Sequence, residues 1–368
     1  MYDNYKKILS LLILLAFIFT LFTFSISSEE NMSLSAKSAA LYEPETKSFI
    51  YTKNANSRLG MASTTKIMTA LLALERLDPD ENIEVDARAI GIEGSSIYLE
   101  QGEIMTAIDL IYSVILQSAN DAAAALAYKI AGSIEAFAAL MNEKAEKLKL
   151  RNTNFTNPHG LDDKNHYTTA ADLSVIAAEA LSNESFKEIS STYKKTVESN
   201  LKKRTLVNHN KMLKSYDGAI GVKTGFTKKS GRCLVSAAER DGLTLISVTI
   251  NAPDDWRDHT KMLDLGYSLL EARYLAKPGD FSYDIPVLDG ASDTVKISNT
   301  DTLKMILQKN APDIKSEVKL CRYFSAPIND GDILGTVVFT KDGEEIGKVN
   351  LTAENSVAKR TRKHKLFS

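Results

Sequence analysis

The sequence predicts an α/β protein of the α+β type. An antiparallel sheet flanked by helices carries a helical lobe, and a small β-sandwich domain follows. Strand patterns lie at both ends of residues 33–276 with helical patterns between them, so strands from the two ends would meet in one sheet. Lys277-Pro278-Gly279-Asp280 marks a boundary, and short alternating runs follow it. The predicted domains are therefore 33–276 and 277–352.

Composition is that of a globular protein. The chain has 368 residues, 44% of them hydrophobic, and a net charge of -2. That length suggests two domains with ample core, and the near-neutral charge gives no reason to expect nucleic-acid binding. Cys233 and Cys321 are too few for a disulfide framework, and the apolar strand pattern around Cys233 predicts a buried thiol.

The N-terminus predicts export. Lys6 and Lys7 precede an apolar run over 8–24, and the small residues Ser25-Ile26-Ser27 lead into a polar stretch. This pattern is typical of a signal peptide ending near residue 28. The run is also long enough to span a bilayer, so a retained N-terminal anchor stays open. Either way the remainder is expected outside the cytoplasm, at the cell wall or the outer face of the membrane.

The first predicted strands form a hairpin that turns at Glu43-Pro44-Glu45-Thr46. The hairpin strands are 39–42 and 49–52, the helices are 63–77, 108–116, 121–130, 133–148 and one starting near 170, and short strands and turns fill 82–105. A charged stretch at 194–204 is interpreted as a solvated helix–loop edge. Strands follow at 218–227, 233–238 and 243–251, and a helix over 257–274 is expected to pack back on the sheet.

Short alternating runs predict the C-terminal β domain. Strands are expected at 295–297 and 317–320, with a closing hairpin over 331–339 and 345–349 that turns at Lys341-Asp342-Gly343. Residues 353–368 form a basic tail with few apolar residues. Such a tail is expected to be solvated; contact with anionic lipid or wall polymer would be peripheral, with slight apolar insertion.

Ser63-Thr64-Thr65-Lys66 is the first candidate catalytic motif. A small, polar entry precedes an Ala- and Leu-rich run, which predicts that Ser63 lies in the first turn of a helix, near its unpaired N–H groups. Lys66 is three residues on, so the two side chains share a face. An amine with a lowered pKa can take the proton of a neighbouring hydroxyl and create a nucleophile. The motif alone favours a capping serine and a solvated lysine over a catalytic pair.

Two later motifs favour the catalytic interpretation. Ser118-Ala119-Asn120 lies between two predicted helices, and Lys223-Thr224-Gly225 lies in a predicted strand. In this order and at wide separation, the three motifs match the set S-x-x-K, S-D-N and K-T-G. The chain resembles the low-molecular-weight penicillin-binding proteins that are D-alanyl-D-alanine carboxypeptidases, from about Ala39 to the C-terminal β segment. Ala119 departs from the Asp of S-D-N.

The resemblance implies the transpeptidase/β-lactamase fold and a role for each motif. Ser63 would attack the penultimate D-alanine of a peptidoglycan pentapeptide, Lys66 would take its proton, and Ser118 would relay a proton to the leaving group. Substrate binding is assigned to Asn120, Lys223, Thr224, Gly225 and Phe226. The backbone N–H groups of Ser63 and Phe226 would form the oxyanion hole, and Gly225 would leave room for the substrate. β-Lactams would trap the serine, and no metal or organic cofactor is required.

The sequence leaves two other functional interpretations open. A class A-like β-lactamase needs a Glu with an Asn four residues later; Glu179 and Asn183 have that spacing but fall in a predicted helix over 173–186. A catalytically inactive wall-binding or sensor module is disfavoured by the intact motifs. His159 and His166 lack an accompanying metal-ligand set and are expected to serve loop hydrogen bonding. The stretch 208–213 is interpreted either as support for the site or as a structural turn.

Overall fold

The computed structural model describes residues 32–361. The chain divides into two compact units after Tyr267, and each is described by itself. The predicted signal peptide at 1–28 and the last part of the predicted tail, 362–368, lie outside the described residues. The predicted boundary at 277–280 lies downstream of this division, because residues 268–276 belong to the second unit.

The first unit combines one large sheet with two small hairpins and several helices. Its strands are β1 (Ser38–Glu43), β2 (Ser48–Lys53), β3 (Asn82–Glu84), β4 (Ile104–Thr106), β5 (Lys194–Glu198), β6 (Lys203–Val207), β7 (Ala219–Thr227), β8 (Gly231–Arg240) and β9 (Leu243–Ile250). Its helices are α1 (Lys66–Arg76), α2 (Ala107–Leu116), α3 (Asn120–Ala131), α4 (Ile134–Lys147), α5 (Ala170–Leu181), α6 (Glu184–Ser191), α7 (Met212–Ser215) and α8 (Asp255–Leu269), which ends just past the division.

The large sheet has the strand order β2-β1-β9-β8-β7 and is antiparallel throughout. The N-terminal hairpin therefore pairs with the last strand of the unit, which confirms that strands from both ends meet in one sheet. Strand β7, which carries Lys223-Thr224-Gly225, lies at the edge. An edge strand leaves one side of its backbone unpaired by the sheet.

Helices cover both faces of this sheet, as predicted. On one face, the backbone of α8 comes so close that a Cβ added at Gly266 would lie 2.5 Å from a methyl carbon of Leu245. On the other face, Ile246 and Val248 of β9 share a buried cluster with Leu173 and Ile176 of α5. Residues 245 and 246 point to opposite faces because side chains alternate along a strand.

The helical lobe is built from α1 to α4. The buried alanines at 122–125 and 127 let α3 approach its neighbours closely. Side-chain caps begin several helices of the unit: Thr106 accepts from Asp109 N–H, Ser133 accepts from Ala136 N–H, and Thr169 accepts from Asp172 N–H. Within the described residues, no single helix has the length and apolarity of a membrane span, although the bent pair α3 and α4 passes on length and composition alone.

The prediction for 194–204 was wrong, because this stretch starts a β-hairpin. Strands β5 and β6 pair antiparallel. Because side chains alternate along a strand, Lys195 and Arg204 point to one side, and Lys194, Glu198 and Lys203 lie on the exposed side. Val197 and Leu206 are each 1% exposed and anchor the opposite side. The many charged residues of this stretch made it look fully solvated. Each strand nevertheless carries one apolar residue, and burial of these two residues favours the hairpin.

The predicted helix over 257–274 is also partly wrong. Helix α8 ends at Leu269, and β10 (Leu270–Ala276) follows it and pairs with β13 (Leu303–Gln308). The strand depends on a partner distant in sequence, which local periodicity does not reveal.

The second unit is β-rich, as predicted. Besides β10 and β13, it contains β11 (Ser282–Leu288), β12 (Thr294–Ser298), β14 (Lys315–Leu320), β15 (Phe324–Ser325), β16 (Ile333–Lys341) and β17 (Glu344–Ala353). Six strands form one sheet in the order β14-β16-β17-β12-β11-β15, and β10 pairs with β13 in a second sheet. The hairpin β16–β17 turns where Asp342 and Gly343 have φ of 52° and 86°, as its tight turn requires.

The beginning of the predicted basic tail is bonded to the second unit. Arg360 donates through its backbone N–H to the carbonyl of Asp289 at 2.7 Å, and through Nε to the carbonyl of Gly290 at 3.0 Å. Its guanidinium also contacts the carboxylate of Asp293 at 2.5 Å. Charge alone suggested a solvated segment, but backbone pairing holds this part of the tail in place.

Both cysteines are free thiols. Cys233 is buried in β8, as predicted, and burial raises its pKa to about 12. Cys321 is exposed.

Candidate active site

The candidate nucleophile, Ser63, lies in a 3-10 turn, Ala62–Thr65, that leads directly into α1. The sequence predicted an α-helical first turn, and the structure shows this tighter turn instead. The hydroxyls of Thr64 and Thr65 close it, because each donates to the carbonyl three residues before it: Thr64 to Met61 at 2.6 Å and Thr65 to Ala62 at 2.8 Å. Ala62 has φ of 46°, a left-handed conformation that is unusual for alanine, so the chain bends sharply just before Ser63.

Lys66 is fully buried, and its Nζ contacts three oxygen atoms. The distances are 2.6 Å to Oδ1 of Asn120, 2.6 Å to the carbonyl oxygen of His159 and 3.3 Å to Oγ of Ser63. The first two partners are acceptors only. Lys66 therefore donates to both of them, and the Ser63 hydroxyl occupies the remaining direction around the nitrogen.

Electrostatics favours the neutral form of Lys66. Burial lowers the pKa of this amine well below its ordinary value, and the nearby Lys223 ammonium lowers it further, whereas the Asp121 carboxylate opposes the shift. A neutral amine has two N–H bonds and one lone pair. With both N–H groups committed to short contacts, the lone pair faces Ser63 and can accept its hydroxyl proton.

Ser118 and Asn120 lie where α2 gives way to α3. Ser118 has φ of 58° and is 5% exposed. Its hydroxyl has no hydrogen-bond partner among residues 32–361. A strained, nearly buried serine with a free hydroxyl is a common feature of functional sites.

Asn120 joins Lys66 to a neighbouring loop. Its Oδ1 accepts from Lys66, its Nδ2 donates to the carbonyl of Glu93 at 2.5 Å, and its backbone N–H donates to the carbonyl of Ser95 at 2.7 Å. One N–H of the amide and one lone pair of Oδ1 stay uncommitted. Only these would be left for a substrate amide, so the side chain orients Lys66 as well as any ligand.

Asp121 is a supporting residue that the sequence interpretation missed. Its buried carboxylate accepts from the backbone N–H groups of Ile97 (3.2 Å) and Leu99 (3.0 Å) and from the hydroxyl of Ser96 (2.5 Å). The loop at 96–99 is thereby held against the start of α3. The sequence feature that could have indicated this role is an acidic residue directly after the Ser118-Ala119-Asn120 motif.

Arg204 holds the same loop from its other side. Its Nε donates to the carbonyl of Ile97 at 2.7 Å and its Nη2 to the carbonyl of Tyr98 at 3.1 Å. The guanidinium is itself paired with two oxygens of the fully buried Glu103, at 2.5 and 2.8 Å. The hairpin that the sequence interpretation treated as a solvated edge therefore supports one wall of the site.

Strand β7 contributes a second buried lysine. Lys223 is 1% exposed, and burial lowers its pKa to about 7. Its Nζ donates to the carbonyl of Thr224 at 3.0 Å. An amine with that pKa titrates near neutrality and gains a proton readily when a carboxylate approaches.

Gly225 brings β7 into contact with the Ala62–Thr65 turn that carries Ser63, called the nucleophile turn below. A Cβ added there would lie 3.0 Å from the backbone nitrogens of both Ser63 and Thr64. The next residue, Phe226, is 65% exposed. The backbone of the strand therefore runs beside the Ser63 amide. An oxyanion hole formed by the N–H groups of Ser63 and Phe226 needs this closeness.

The loop over 157–163 presses on the nucleophile turn. Asn157 Oδ1 accepts from the backbone N–H of Gly160 at 2.7 Å. Gly160 has φ of 86°, and a Cβ added there would lie 2.0 Å from the carbonyl oxygen of Ala62. The neighbouring His159 carbonyl receives the Lys66 hydrogen bond. The sequence singled out this loop but not its carbonyl, because a backbone acceptor leaves no residue-type signal.

His159 and His166 serve loop hydrogen bonding, as the sequence predicted. Nδ1 of His166 accepts from the backbone N–H of Thr156 at 3.0 Å, and its Nε2 lies 2.7 Å from Oγ1 of Thr65. Nδ1 of His159 accepts from the N–H of Leu161 at 3.4 Å. Burial lowers the pKa of His159 to about 3 and that of His166 to about 4. Residues 32–361 contain no group of three or more His, Cys, Asp or Glu side chains placed to hold a metal ion.

Glu179 and Asn183, the pair that β-lactamase chemistry would use, make structural contacts. Glu179 lies in α5 and contacts Nζ of Lys144 at 2.8 Å. Asn183 caps α6 by accepting from Phe186 N–H. The predicted continuous helix over 173–186 is therefore wrong, because α5 ends at Leu181 and Asn183 starts a new helix.

Residues 208–211 form a structural turn that leads into α7, and 212–213 begin that helix. The amide of Asn208 donates to the carbonyls of Ser190 (3.2 Å) and Thr192 (3.1 Å), and its Oδ1 accepts from the N–H of Asn210 at 2.9 Å. Of the two interpretations left open by the sequence, these contacts support the turn.

The structure thus brings most of the predicted site residues together. Ser63, Lys66 and Asn120 are in direct contact, and Gly225 lies against the nucleophile turn. The charge of Lys223 acts on Lys66. Ser118 shares the α2–α3 junction with Asn120 but makes no side-chain hydrogen bond to the other site residues.

Comparisons with known proteins place this site in context. The family profile described as D-alanyl-D-alanine carboxypeptidase matches residues 25–254, and the profile described as penicillin-binding protein 5, C-terminal domain, matches residues 271–359. The D-alanyl-D-alanine carboxypeptidase DacF of Bacillus subtilis is 37% identical over 335 residues, covering 88% of this chain and 86% of the relative.

Solved structures give the same picture. Penicillin-binding protein 5 from Haemophilus influenzae is 29% identical with a TM-score of 0.64, covering 89% of this chain and 98% of that one. The D-alanyl-D-alanine carboxypeptidase DacD from Francisella tularensis is 27% identical with a TM-score of 0.65, covering 90% and 95%.

Proposed function

Because the chain belongs to the D-alanyl-D-alanine carboxypeptidase family of serine peptidases, we propose that it removes the terminal D-alanine from peptidoglycan stem pentapeptides through an acyl-enzyme on Ser63. The observation that carries this proposal is the contact between the buried Lys66 amine and the Ser63 hydroxyl, at 3.3 Å. A serine beside a desolvated amine is the arrangement that nucleophilic catalysis needs.

In the acylation step, the lone pair of Lys66 accepts the Ser63 proton while Oγ attacks the carbonyl carbon of the penultimate D-alanine. The tetrahedral intermediate carries a negative oxygen, which the backbone N–H groups of Ser63 and Phe226 stabilise. Support comes from Gly225, whose missing side chain lets β7 run beside the Ser63 amide.

Collapse of the intermediate expels the terminal D-alanine, whose nitrogen must gain a proton. Lys66 now carries the proton taken from Ser63. The Ser118 hydroxyl can receive a proton on its oxygen and donate its own to the leaving nitrogen, since it has no partner among residues 32–361. A water molecule then attacks the ester carbonyl while Lys66 accepts its proton. Lys66 returns that proton to Oγ of Ser63 as the ester bond breaks, and the shortened peptide leaves.

Selectivity for a free C-terminus is assigned to Lys223 and Thr224. The terminal carboxylate is negative, and the Lys223 ammonium would pair with it while the Thr224 hydroxyl donates a hydrogen bond. A peptide that lacks this carboxylate would leave Lys223 buried without a counter-charge. Loss of the terminal D-alanine also removes the donor that cross-linking enzymes use, so the enzyme would limit wall cross-linking.

β-Lactams are proposed inhibitors. Their strained amide and carboxylate resemble the D-alanyl-D-alanine end, so Ser63 would open the ring and form a penicilloyl ester. The same Lys223 and Thr224 groups would bind the carboxylate.

Export is proposed from the N-terminal pattern of Lys6, Lys7 and the apolar run over 8–24. Most mature protein should begin near Ser28 and leave membranes in high salt, because the basic tail offers only screened attraction. Firm membrane retention of a chain that still begins at Met1 would instead establish an N-terminal anchor.

The activity is tested with a synthetic pentapeptide ending in D-Ala-D-Ala, read by mass spectrometry. The purified protein should release one D-alanine per peptide and should be labelled by fluorescent penicillin. A folded Ser63→Ala variant should do neither, while Ser182→Ala, at an exposed serine, should do both. Labelling of the folded Ser63→Ala protein at another residue would show that the nucleophile is assigned wrongly.

A further inference from the structure

The orientation of Ser63 depends on a histidine that the proposed reaction does not use. We propose that His166 is a positioning residue for the nucleophile: through Thr65 it fixes the Ala62–Thr65 turn and so holds the Ser63 hydroxyl against Lys66. This inference rests on the proposed function, since it concerns the rate at which Ser63 is acylated.

The hydrogen bonds around His166 run in one direction. The N–H of Thr156 donates to Nδ1 at 3.0 Å, so Nδ1 is the acceptor nitrogen. A neutral imidazole then carries its proton on Nε2, which donates to Oγ1 of Thr65 at 2.7 Å. The Thr65 hydroxyl in turn donates to the carbonyl of Ala62 at 2.8 Å. The imidazole thereby aligns the hydroxyl that closes the nucleophile turn.

Burial makes these bonds hard to replace. Ala62, Thr65 and His166 are 2%, 1% and 4% exposed, so water has little access to any of them. Burial also lowers the pKa of His166 to about 4, which keeps the ring neutral at neutral pH. Loss of the Nε2 donor would leave the Thr65 hydroxyl free to rotate or to bond elsewhere.

The residue that receives this restraint is strained. Ala62 has φ of 46°, directly before Ser63. Such a conformation is strained and persists only where the surroundings hold it. The Thr65 hydroxyl and the close approach of Gly160 both act on the Ala62 carbonyl. If one restraint is removed, the turn relaxes and Oγ of Ser63 moves relative to Nζ of Lys66.

The same unit contains a matched pair that serves as a control. Nε2 of His259 lies 2.9 Å from Oγ1 of Thr249, and both residues are fully buried. This pair joins α8 to β9 on the face of the sheet that α8 covers. It has the same chemistry as His166 and Thr65, but it lies outside the nucleophile turn. Substitution at His259 should therefore lower stability without a specific effect on acylation.

Two amide substitutions distinguish the contribution of Nε2 of His166 from that of Nδ1. Gln can place its Nε2 donor near the imidazole Nε2, whereas Asn can replace only the Nδ1 acceptor. We expect His166→Asn to slow acylation of Ser63 by fluorescent penicillin by about 10–100-fold per folded molecule, the effect of a small misplacement of reacting groups. His166→Gln should restore most of the rate. His259→Asn should leave the rate within about twofold, although its unfolding midpoint in urea should fall.

Substitutions at Thr65 test the same hydrogen bond from its other partner, so the inference can be tested even if the histidine variants do not fold. Thr65→Val is nearly isosteric and removes only the hydroxyl, while Thr65→Ser keeps it. Thr65→Val should reproduce the acylation defect, Thr65→Ser should not, and His166→Asn should add little to Thr65→Val in the double variant. Wild-type acylation rates in folded His166→Asn or Thr65→Val would overturn the inference, as would fully additive effects. If the wild type itself is not labelled at Ser63, it is the proposed function that fails.

Discussion

Nζ of Lys66 lies closer to Oδ1 of Asn120, at 2.6 Å, than to the Ser63 hydroxyl, at 3.3 Å. Asn120 therefore fixes where the amine points. The longer contact, from Nζ to the Ser63 hydroxyl, is the one along which the hydroxyl proton moves to the amine. An amide oxygen suits this role because it accepts a hydrogen bond without carrying a charge. A carboxylate in the same place would favour the ammonium form, which is the wrong form for a base.

Asn120→Asp tests this relationship. The substitution keeps the shape but places a negative charge next to Lys66, so the pKa of the amine should rise. The acid limb of the acylation rate should move to higher pH by the same amount. The rate against pH, measured with fluorescent penicillin, gives the shift.

Asn120→Ala provides the contrast, because it removes the acceptor and adds no charge. It should slow acylation without moving the acid limb upward. An unchanged pH profile in a folded Asn120→Asp protein would show that Lys66 is not the base.

The lowered pKa of Lys223 predicts that peptide binding weakens at alkaline pH. Its pKa is lowered to about 7 by burial, so the amine is charged below that pH and neutral above it. Pairing with the substrate carboxylate requires the charged form. Values of kcat/KM for a pentapeptide with a free C-terminus should therefore fall above pH 7, by up to about tenfold per pH unit.

Lys223→Arg separates charge from other effects in that profile. Arginine stays protonated throughout the accessible range. The fall above pH 7 should disappear, even if the rate is lower at every pH because the guanidinium is larger. Persistence of the alkaline limb in this variant would assign it to another group.

The buried Lys223 should also cost stability. The unfolded amine has a pKa of 10.5 and the folded one about 7, so the unfolded state binds more protons between these values. The cost is fully present below pH 7 and is relieved as pH rises from 7 to 10.5. Lys223→Met should therefore raise the free energy of unfolding at pH 6 by about 1–4 kcal/mol and lose peptide binding. Urea unfolding at pH 6 and pH 10 measures this, and the gain should shrink at pH 10.

Motif spacing predicted the core of the site because the chemistry of Ser63, Lys66 and Lys223 needs those residue types. It could not predict Asp121 or Arg204, whose roles are to hold the backbone of the 96–99 loop. A carbonyl such as that of His159 is invisible in a sequence, since every residue has one. Supporting contacts depend on which backbone groups tertiary packing brings near.

The fold was predictable where periodicity was local. Both strands of the first hairpin and the helices α1 to α5 follow from short-range patterns and caps. Strand β10 was mistaken for the end of a helix because its identity depends on pairing with β13. The hairpin β5–β6 was missed because only Val197 and Leu206 mark its buried side.

Gly225→Ala tests the close approach of β7 to the nucleophile. The added Cβ would lie 3.0 Å from two backbone nitrogens, which cannot move aside as a side chain can. The strand or the turn must shift, so acylation should fall by about tenfold or more. Gly347→Ala is the control, because its Cβ would meet the movable side chain of Leu303 in the second unit. Equal acylation rates in the two variants would argue against the tight fit at Gly225.

The last prediction separates the carboxypeptidase from a β-lactamase. A penicilloyl ester keeps its ring amine tethered, where it obstructs water, and a β-lactamase overcomes this with a dedicated carboxylate. Among the acidic residues considered for that role, Glu179 is held by Lys144 at 2.8 Å. Asp162 accepts from the hydroxyls of Thr227 and Ser230, at 2.9 and 3.2 Å.

With those carboxylates engaged, Lys66 must serve both steps, which suits a flexible peptidyl ester and not the penicilloyl one. The penicilloyl-enzyme should therefore persist for minutes or longer, while D-alanine is released over many turnovers. Stopped-flow acylation followed by decay of the intact adduct mass measures this. Glu179→Gln should leave the decay unchanged, as should Asp163→Asn, at a carboxylate that accepts from the local Asn165 N–H at 2.7 Å. Rapid adduct loss in the wild type that Glu179→Gln abolishes would replace the carboxypeptidase assignment with a lactamase.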